Sequence, residues 1–349
     1  MENVTTGSLS IGPNFPCFVI AEAGVNHNGD LELARRLVDV AAEAGADAVK
    51  FQTFRADRLV SPTAPKAAYQ RQTTDAGESQ LDMLRRLELS PAAHRELSDY
   101  CRQRGLIFLS TPFDEESADL LDELDVLAFK IGSGEVTNHP FLEYVARKGK
   151  PIILSTGMSY LSEVDEAVRV LRDAGCEQLI LLHCVSSYPA APADANLKAI
   201  QTLAAAFGVP VGYSDHTPGI EVALAAVALG ACVIEKHFTL DRNLPGPDHR
   251  ASLEPPELRA LISGVRTVER ALGDGIKRPV PAEADTRAVA RRSLAARVDI
   301  PAGVIVEAGM LTALRPADGI PPGLIRRVIG RRTRRSLTAG QFIDWSDLE

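Results

Sequence analysis

Short, continuously apolar runs recur along the chain, each ending in a polar or titratable tip and each followed by a helical period. The first, at 17–22, reads Cys17-Phe18-Val19-Ile20-Ala21 and ends on Glu22. Leu33, Leu37, Val40 and Ala41 follow at helical spacing, opened by the capping carboxylate of Asp30 and stopped at Gly45. The same alternation predicts strands at 47–52, 106–110, 126–131, 151–155, 179–183, 209–214 and 231–236. Helical stretches separate them, among them 91–104, and the last helix is Pro255–Leu272. Residues 54–90 form an excursion outside this alternation. Pro151-Ile152-Ile153-Leu154 and Leu179-Ile180-Leu181-Leu182 are apolar at every position, as parallel strands covered on both faces require. Eight strands alternating with eight helices predict an α/β fold, a closed parallel (β/α)8 barrel. A doubly wound open sheet is the other arrangement, but Ala23-Gly24-Val25-Asn26-His27-Asn28-Gly29 does not match the glycine-rich phosphate turn such sheets favour after their first strand.

After Gly273-Asp274-Gly275 the pattern changes. A barrel domain over 1–275 gives way to a linker over 276–287, opened by Pro279 and Pro281. A small module over 288–349 follows, made of short β-like pieces punctuated by Pro301, Gly303, Pro316, Gly319, Pro321, Pro322 and Gly340. So small a module has little core of its own and gains from docking onto something larger. The length of 349 residues fits one barrel plus such a module, and 45% hydrophobic with 24% charged residues is ordinary for a globular chain. Residues 1–12 are polar and lack a basic-then-apolar leader, and no apolar run reaches membrane-spanning length. A cytoplasmic protein with no membrane contact is expected. The five cysteines are scattered and never spaced Cys-x-x-Cys, which points to small buried hydrophobes instead of disulfides or a thiolate zinc site.

The net charge of −8 is uneven: residues 276–349 carry 13 Lys and Arg against 8 Asp and Glu, so this tail is +5 and the remainder −13. The arginine-rich run from Arg326-Arg327 to Arg334-Arg335 is broken into single pairs by short uncharged spacers, with one aromatic, Phe342, nearby. That reads as a solvated or interface face, not a nucleic-acid surface. Lysines at strand ends of an acidic body need a local reason, and binding of a small anion supplies one.

In a parallel barrel the residues ending the strands converge on one mouth. Glu22, Lys50, Gln52, Thr111, Lys130, Ser133, Glu135, Ser155, His183, Ser214, His216, Glu235 and His237 are therefore expected to share a cavity. His216 and His237 end adjacent strands, close enough for two imidazoles to reach one divalent ion; the alternative bonds each to a carboxylate, Asp215 or Glu235. Those same carboxylates could instead orient the ligands. Imidazole with water and carboxylate suits manganese, cobalt or zinc better than calcium. Lys50 and Lys130, beside Thr111, Ser133 and Ser155, could hold a phosphate and a carboxylate. Pairing with Glu22 and Glu135, or a Schiff base on one lysine as in pyruvate-using aldolases, are the rival readings, and two lysines beside hydroxyls favour the anion over either. Glu22, Glu135 and Glu235 are candidate acids, bases or charge stabilisers. Asp248 could bond a sugar hydroxyl or stabilise its turn. Tyr188 could stack on a sugar ring or pack its loop, and Cys184 is read as packing.

Several stretches together resemble the sialic acid (N-acetylneuraminate) synthases: Ile20-Ala21-Glu22-Ala23-Gly24-Val25-Asn26-His27-Asn28-Gly29, Val49-Lys50-Phe51-Gln52-Thr53, Ser110-Thr111-Pro112-Phe113, Lys130-Ile131-Gly132-Ser133-Gly134-Glu135, Leu154-Ser155-Thr156-Gly157-Met158, Gly212-Tyr213-Ser214-Asp215-His216-Thr217 and Glu235-Lys236-His237-Phe238-Thr239-Leu240. The resemblance covers essentially the whole chain and implies a TIM barrel followed by an antifreeze-like, β-clip SAF domain from about residue 288. It also implies a domain-swapped homodimer in which each SAF domain caps the partner's barrel. Carried over by motif, Lys50, Thr111, Lys130, Ser133, Ser155, Ser186 and Ser214 bind phosphoenolpyruvate. Gln52, Tyr188, Glu235 and Asp248 contact the sugar, and Arg315, reaching over from the partner chain, its N-acetyl group. His216 and His237 hold the metal, manganese first with cobalt or magnesium as alternatives, and with Glu22 and Glu135 make the catalytic set. Where the family usually reads Arg-Pro-Gly-x-Gly, this chain reads Arg315-Pro316-Ala317-Asp318-Gly319.

The resemblance implies condensation of phosphoenolpyruvate with open-chain N-acetylmannosamine, giving N-acetylneuraminate and phosphate by C–O cleavage. The nearest alternative is the same chemistry on a diacetamido-trideoxyhexose, giving legionaminic or pseudaminic acid. A Schiff-base aldolase and a non-catalytic carbohydrate- or ice-binding protein are the remaining readings.

Overall fold

The computed structural model describes residues 3–75 and 77–349. Two compact units divide the chain, the first ending at Gly273 and the second spanning Asp274–Glu349.

The first unit opens with a hairpin, β1 (Val4–Thr6) and β2 (Leu9–Ile11). Eight parallel strands follow: β3 (Phe18–Gly24), β4 (Ala48–Thr53), β5 (Ile107–Pro112), β6 (Phe129–Ile131), β7 (Ile152–Ser155), β8 (Leu179–Cys184), β9 (Val211–Asp215) and β10 (Val233–His237). Hydrogen bonding runs from β5 through β4, β3, β10, β9, β8 and β7 to β6. The two end strands β5 and β6 lie against each other, closing the (β/α)8 barrel that the apolar runs predicted. The predicted and observed strands agree to within a few residues. Asp30 caps the helix Leu31–Ala44 by accepting from the N–H groups of Glu32 and Leu33, and Gly45 ends it in the left-handed region.

Alternation along each strand divides the residues into two sets. Val19, Ala21, Val49, Phe51, Phe129, Ile131, Ile152, Leu154, Leu181 and Ile234 point outward and pack under the helices. Phe18, Ile20, Ala48, Leu109, Ala128, Ile153, Ile180, Leu182 and Val233 point inward and fill the lower barrel. Two positions further along the inward set come Glu22, Lys50, Thr111, Lys130, Ser155, Ser214 and Glu235, so one period-2 pattern builds an apolar floor and a polar mouth.

The polar start of the chain hides a structural element. Val4, Leu9 and Ile11 of the hairpin are buried against the inward floor residues, closing the bottom of the barrel. The pattern there is too short to register as an amphipathic strand.

The excursion folds into three short helices, Ala56–Leu59, Ala68–Thr73 and Gln80–Leu87. Met83 and Leu87 of the third pack with Val25 and Phe54. In the second unit, the expected linker runs into a short exposed helix, Ala284–Ala290, before β11 (Ser293–Ala296) pairs antiparallel with β12 (Leu311–Leu314). Leu294, Ala296, Ile300, Val306, Leu311, Val328, Leu337 and Ile343 make its separate core.

Leu9 has no exposed surface. Leu9→Ala is expected to destabilise the protein by about 3 kcal/mol through lost burial and the cavity left behind, read as a lower urea midpoint at unchanged slope.

Candidate active site

Strand register sets which polar tips become neighbours. Glu22 lies opposite Lys50 on one side and His237 on the other, and Glu235 lies opposite Ser214. The side chains follow: Lys50 Nζ is 2.6 Å from Glu22 Oε2 and 3.7 Å from Glu235 Oε2, and it donates to Thr111 Oγ1 at 2.9 Å. Lys130 Nζ is 3.4 Å from Glu235 Oε1, which also accepts from Ser214 Oγ at 2.9 Å. Lys50 and Lys130 are each 3% exposed. The lysines thus take up the ion-pair arrangement with Glu22, but Lys130 meets Glu235 and not Glu135.

The environment separates the two carboxylates. Burial raises Glu22 to about 7, outweighing the pull of Lys50. Burial also pushes on Glu235, but Lys130, Lys50 and the Ser214 hydrogen bond hold it below its usual range. Burial pulls Lys130 down, whereas for Lys50 the same penalty is outweighed by Glu22 and Glu235, which raise it.

These groups line a cavity of about 290 Å³ together with Gln52, Ser133, Ser155, Ser186, Tyr188, His216 and His237. The hydroxyls cluster around Gly157. Its N–H donates to Ser133 Oγ at 2.9 Å, and a Cβ there would lie 2.4 Å from Ser186 Oγ and 2.9 Å from Ser133 Oγ, so only glycine leaves this cradle open. Ser155 Oγ is buried without a hydrogen-bond partner. Two ammonium groups beside several hydroxyls, Ser155 unengaged among them, suit an anion with several oxygens.

His216 and His237 stand with ring centroids 5.3 Å apart. His216 Nδ1 is 2.9 Å from the Val185 carbonyl, which can only accept, so Nδ1 carries the proton and Nε2 is the site of a lone pair. His237 Nδ1 is buried with no partner at all. Burial, His216 and the lysines depress the His237 imidazole far below its usual range, keeping it neutral. Burial opposes protonation of His216 as well, but Cys184 Sγ at 3.7 Å from Nδ1 and the Val185 carbonyl draw it upward. Neither imidazole is bonded to a carboxylate. Two neighbouring imidazoles, one orphaned and one with its proton fixed away, fit a divalent cation. Among the described residues no three His, Cys, Asp or Glu side chains converge on one point, so such an ion would keep positions for water or substrate.

Of the expected barrel residues, Glu135 and His183 point away from the cavity, while Asp248, outside the lining, stays within electrostatic reach of His216 and Lys50. Glu135 turns away to accept from Asn138 Nδ2 at 2.6 Å. Asp248 is buried on the loop after β10, raised to about 6 by burial against the opposing effects of His216 and Lys50. Arg315 is exposed on the second unit. His183, expected in the mouth, has outward parity and meets the Ala195 carbonyl through Nε2 at 2.7 Å. It borders a separate hollow of about 540 Å³ behind β7 and β8, which gathers no comparable set of opposed charges.

Tyr69, Phe113, Met158 and Cys184 also line the cavity. Phe113 directly follows a strand tip and was legible, but Tyr69 sits in the excursion, where no period pointed to it.

Outside the barrel, Lys236 Nζ lies 2.6 Å from Asp215 Oδ2 and donates to the Thr217 carbonyl at 2.5 Å, while Asp215 Oδ1 accepts from the N–H and hydroxyl of Thr217. Lys236 and Asp215 are register partners, each next to a histidine, so this pair ties β9 to β10 directly behind His216 and His237.

The family described as the NeuB family matches residues 37–277, and the SAF domain matches residues 291–349. The N,N'-diacetyllegionaminic acid synthase of Campylobacter jejuni is 51% identical over 93% of this chain and 98% of its own length. The N,N'-diacetyllegionaminic acid synthase of Legionella pneumophila is 49% identical over 97% of this chain and 96% of its own. The crystal structure of the N-acetylneuraminic acid (sialic acid) synthetase of Leptospira borgpetersenii, in complex with citrate, superposes with a TM-score of 0.72. It is 38% identical and covers 82% of this chain and 95% of that one.

Lys236→Met would leave Asp215 charged and buried alone, at a cost of about 3 kcal/mol in a urea titration, with part recovered by adding Asp215→Asn. For Glu22, a folded pKa of about 7 lies above that of an unfolded glutamate, so the folded state holds the extra proton between the two values. Its contribution to stability is complete below the unfolded pKa and is lost as pH rises through about 7. Metal-free wild type should therefore lose more stability between pH 5 and pH 8 than Glu22→Gln does, as measured by urea unfolding at both values.

Proposed function

The chain belongs to the NeuB family and carries a SAF domain after its barrel, and from that premise we propose that it condenses phosphoenolpyruvate with the open-chain aldehyde of a diacetamido-trideoxyhexose. The products are N,N'-diacetyllegionaminic acid and phosphate. The protein is a synthase of the sialic-acid type. N-acetylmannosamine, the sugar first expected from the sequence, yields to the diacetamido sugar, because relatives named for the legionaminic product share more of this chain than the N-acetylneuraminic acid synthetase does. The observation that carries the reading is one cavity holding two buried lysines, several hydroxyls with Ser155 unpartnered among them, and two neighbouring imidazoles, neither bonded to a carboxylate.

Lys50 and Lys130 would bind the anionic groups of phosphoenolpyruvate, with Thr111, Ser133, Ser155, Ser186 and Ser214 completing their hydrogen bonds. Gln52, Tyr188 and Asp248 would orient the sugar. A divalent cation on His216 and His237, manganese first, would polarise the aldehyde oxygen. The enol methylene carbon then forms a bond to the aldehyde carbon, whose oxygen takes a proton to become a hydroxyl. Positive charge developing at the adjacent enol carbon faces Glu22 and Glu235. Water adds at that carbon, and Glu22, with a pKa near 7 and ionised again once it has given its proton to the new hydroxyl, is suited to take the proton the water loses. Collapse of the adduct breaks the carbon–oxygen bond to phosphate. Placed away from the cavity, Glu135 has no direct part in these steps. The assembly in this reading is a homodimer whose SAF domains close the partner barrels and offer Arg315 to the sugar.

Phosphate release from phosphoenolpyruvate is expected with the diacetamido-trideoxyhexose, to fall to background in chelator, and to return with added manganese. Equal rates in chelator would contradict the metal's part. Borohydride trapping of pyruvate on a lysine would contradict the reaction class.

A further inference from the structure

The segment between β4 and β5 supplies a wall of the cavity that no strand end provides. It is organised around Lys66, 6% exposed although it lies in a surface excursion. The Lys66 ammonium donates to Thr74 Oγ1 at 3.0 Å and to the Asp75 carbonyl at 2.5 Å, and it lies 3.0 Å from Glu78 Oε1. Glu78 in turn meets Arg86 at 2.5 Å. Three oxygens satisfy the three donors of the lysine, which ties the segment to itself and sets the helix Ala68–Thr73. Thr73 Oγ1 reaches the Pro247 carbonyl at 3.5 Å, linking that helix to the loop that carries Asp248.

The helix carries Tyr69, whose ring stacks on Tyr188 at 5.2 Å and 28°. Tyr188 leans on His216 at 4.2 Å and stands edge-on to His237 at 5.8 Å. The Tyr69–Tyr188 stack thus gives an aromatic wall to the cavity that Lys50, Lys130, Glu22 and Glu235 also line. Burial and the neighbouring Asp248 push the Tyr69 phenol up, so it stays neutral. An aromatic wall next to the imidazole pair favours methyl groups and the C–H face of a sugar. Hydroxyls pressed against it would lose water without gaining a hydrogen bond.

We propose that Tyr69 determines sugar specificity: its ring, set against Tyr188 by the Lys66 knot, packs on the deoxygenated, acetamido-bearing part of the sugar and discriminates against N-acetylmannosamine. This rests on the sugar assignment made above. Steady-state kinetics on both sugars with wild type, Tyr69→Ala, Tyr69→Phe and Lys66→Met tests it.

Removing the ring is expected to raise the KM of the diacetamido sugar about tenfold and to lower its advantage in kcat/KM over N-acetylmannosamine by a similar factor, with the KM of phosphoenolpyruvate changed less than about twofold. Tyr69→Phe keeps the stack and should shift the sugar KM far less than Tyr69→Ala does. Lys66→Met should raise the sugar KM in the same direction; a change in Tm with KM unmoved would contradict the role given to the knot. A wild-type preference for the diacetamido sugar that survives Tyr69→Ala, or an equal rise in both KM values, would overturn the Tyr69 assignment alone. A wild-type preference for N-acetylmannosamine would overturn the sugar assignment and the discrimination together.

Discussion

Four buried charges that must balance one another govern this barrel mouth. An ammonium with 3% exposure is unfavourable unless an anion meets it, and the register of β3 on β4 supplies Glu22 to Lys50 while Glu235 lies between both lysines. The cluster of Glu22, Lys50, Lys130 and Glu235 is neutral only while both carboxylates are ionised. Its lysines are therefore paired yet exchangeable, since an arriving anion can replace Glu22 as the partner of Lys50 once Glu22 takes a proton. A carboxyl raised to about 7 by burial is poised for that exchange, whereas Glu235, held low by two lysines, is not.

Parity along the strands separates chemistry from support. Inward tips carry the charges and imidazoles; the outward residues between them, Asp215 and Lys236, make their own buried pair and fasten β9 to β10. The hairpin at the chain start closes the opposite end, so the polar mouth rests on a sealed apolar floor. Onto this frame the excursion adds an aromatic wall held by Lys66, giving one cavity both aromatic and charged lining.

The barrel was legible because each strand is buried on both faces and its polar tip interrupts an apolar run. Asp30 and Gly45 marked their helix for an equally local reason. The gathering of Lys50, Lys130, His216 and His237 followed from topology alone. What escaped depends on parity or on tertiary contact. His183 and Glu135 sit at strand ends as the active residues do, but one points outward and the other turns to Asn138. Lys236 obeys the rule applied to Lys50 and was passed over between Glu235 and His237. Tyr69 owes its place to a buried lysine in a loop, which no periodicity announces. The preference between two acetamido sugars lies in so few side chains that similarity to named relatives, not spacing, moved it.

Calorimetry of phosphoenolpyruvate binding to the metal-free protein at pH 7.5, repeated in buffers of different ionisation enthalpy, tests the balance of the four charges most directly. Binding should take up about three quarters of a proton in wild type and almost none in Glu22→Gln. Binding without proton uptake in wild type, or the same uptake in both proteins, would contradict the exchange of Glu22 for substrate at Lys50.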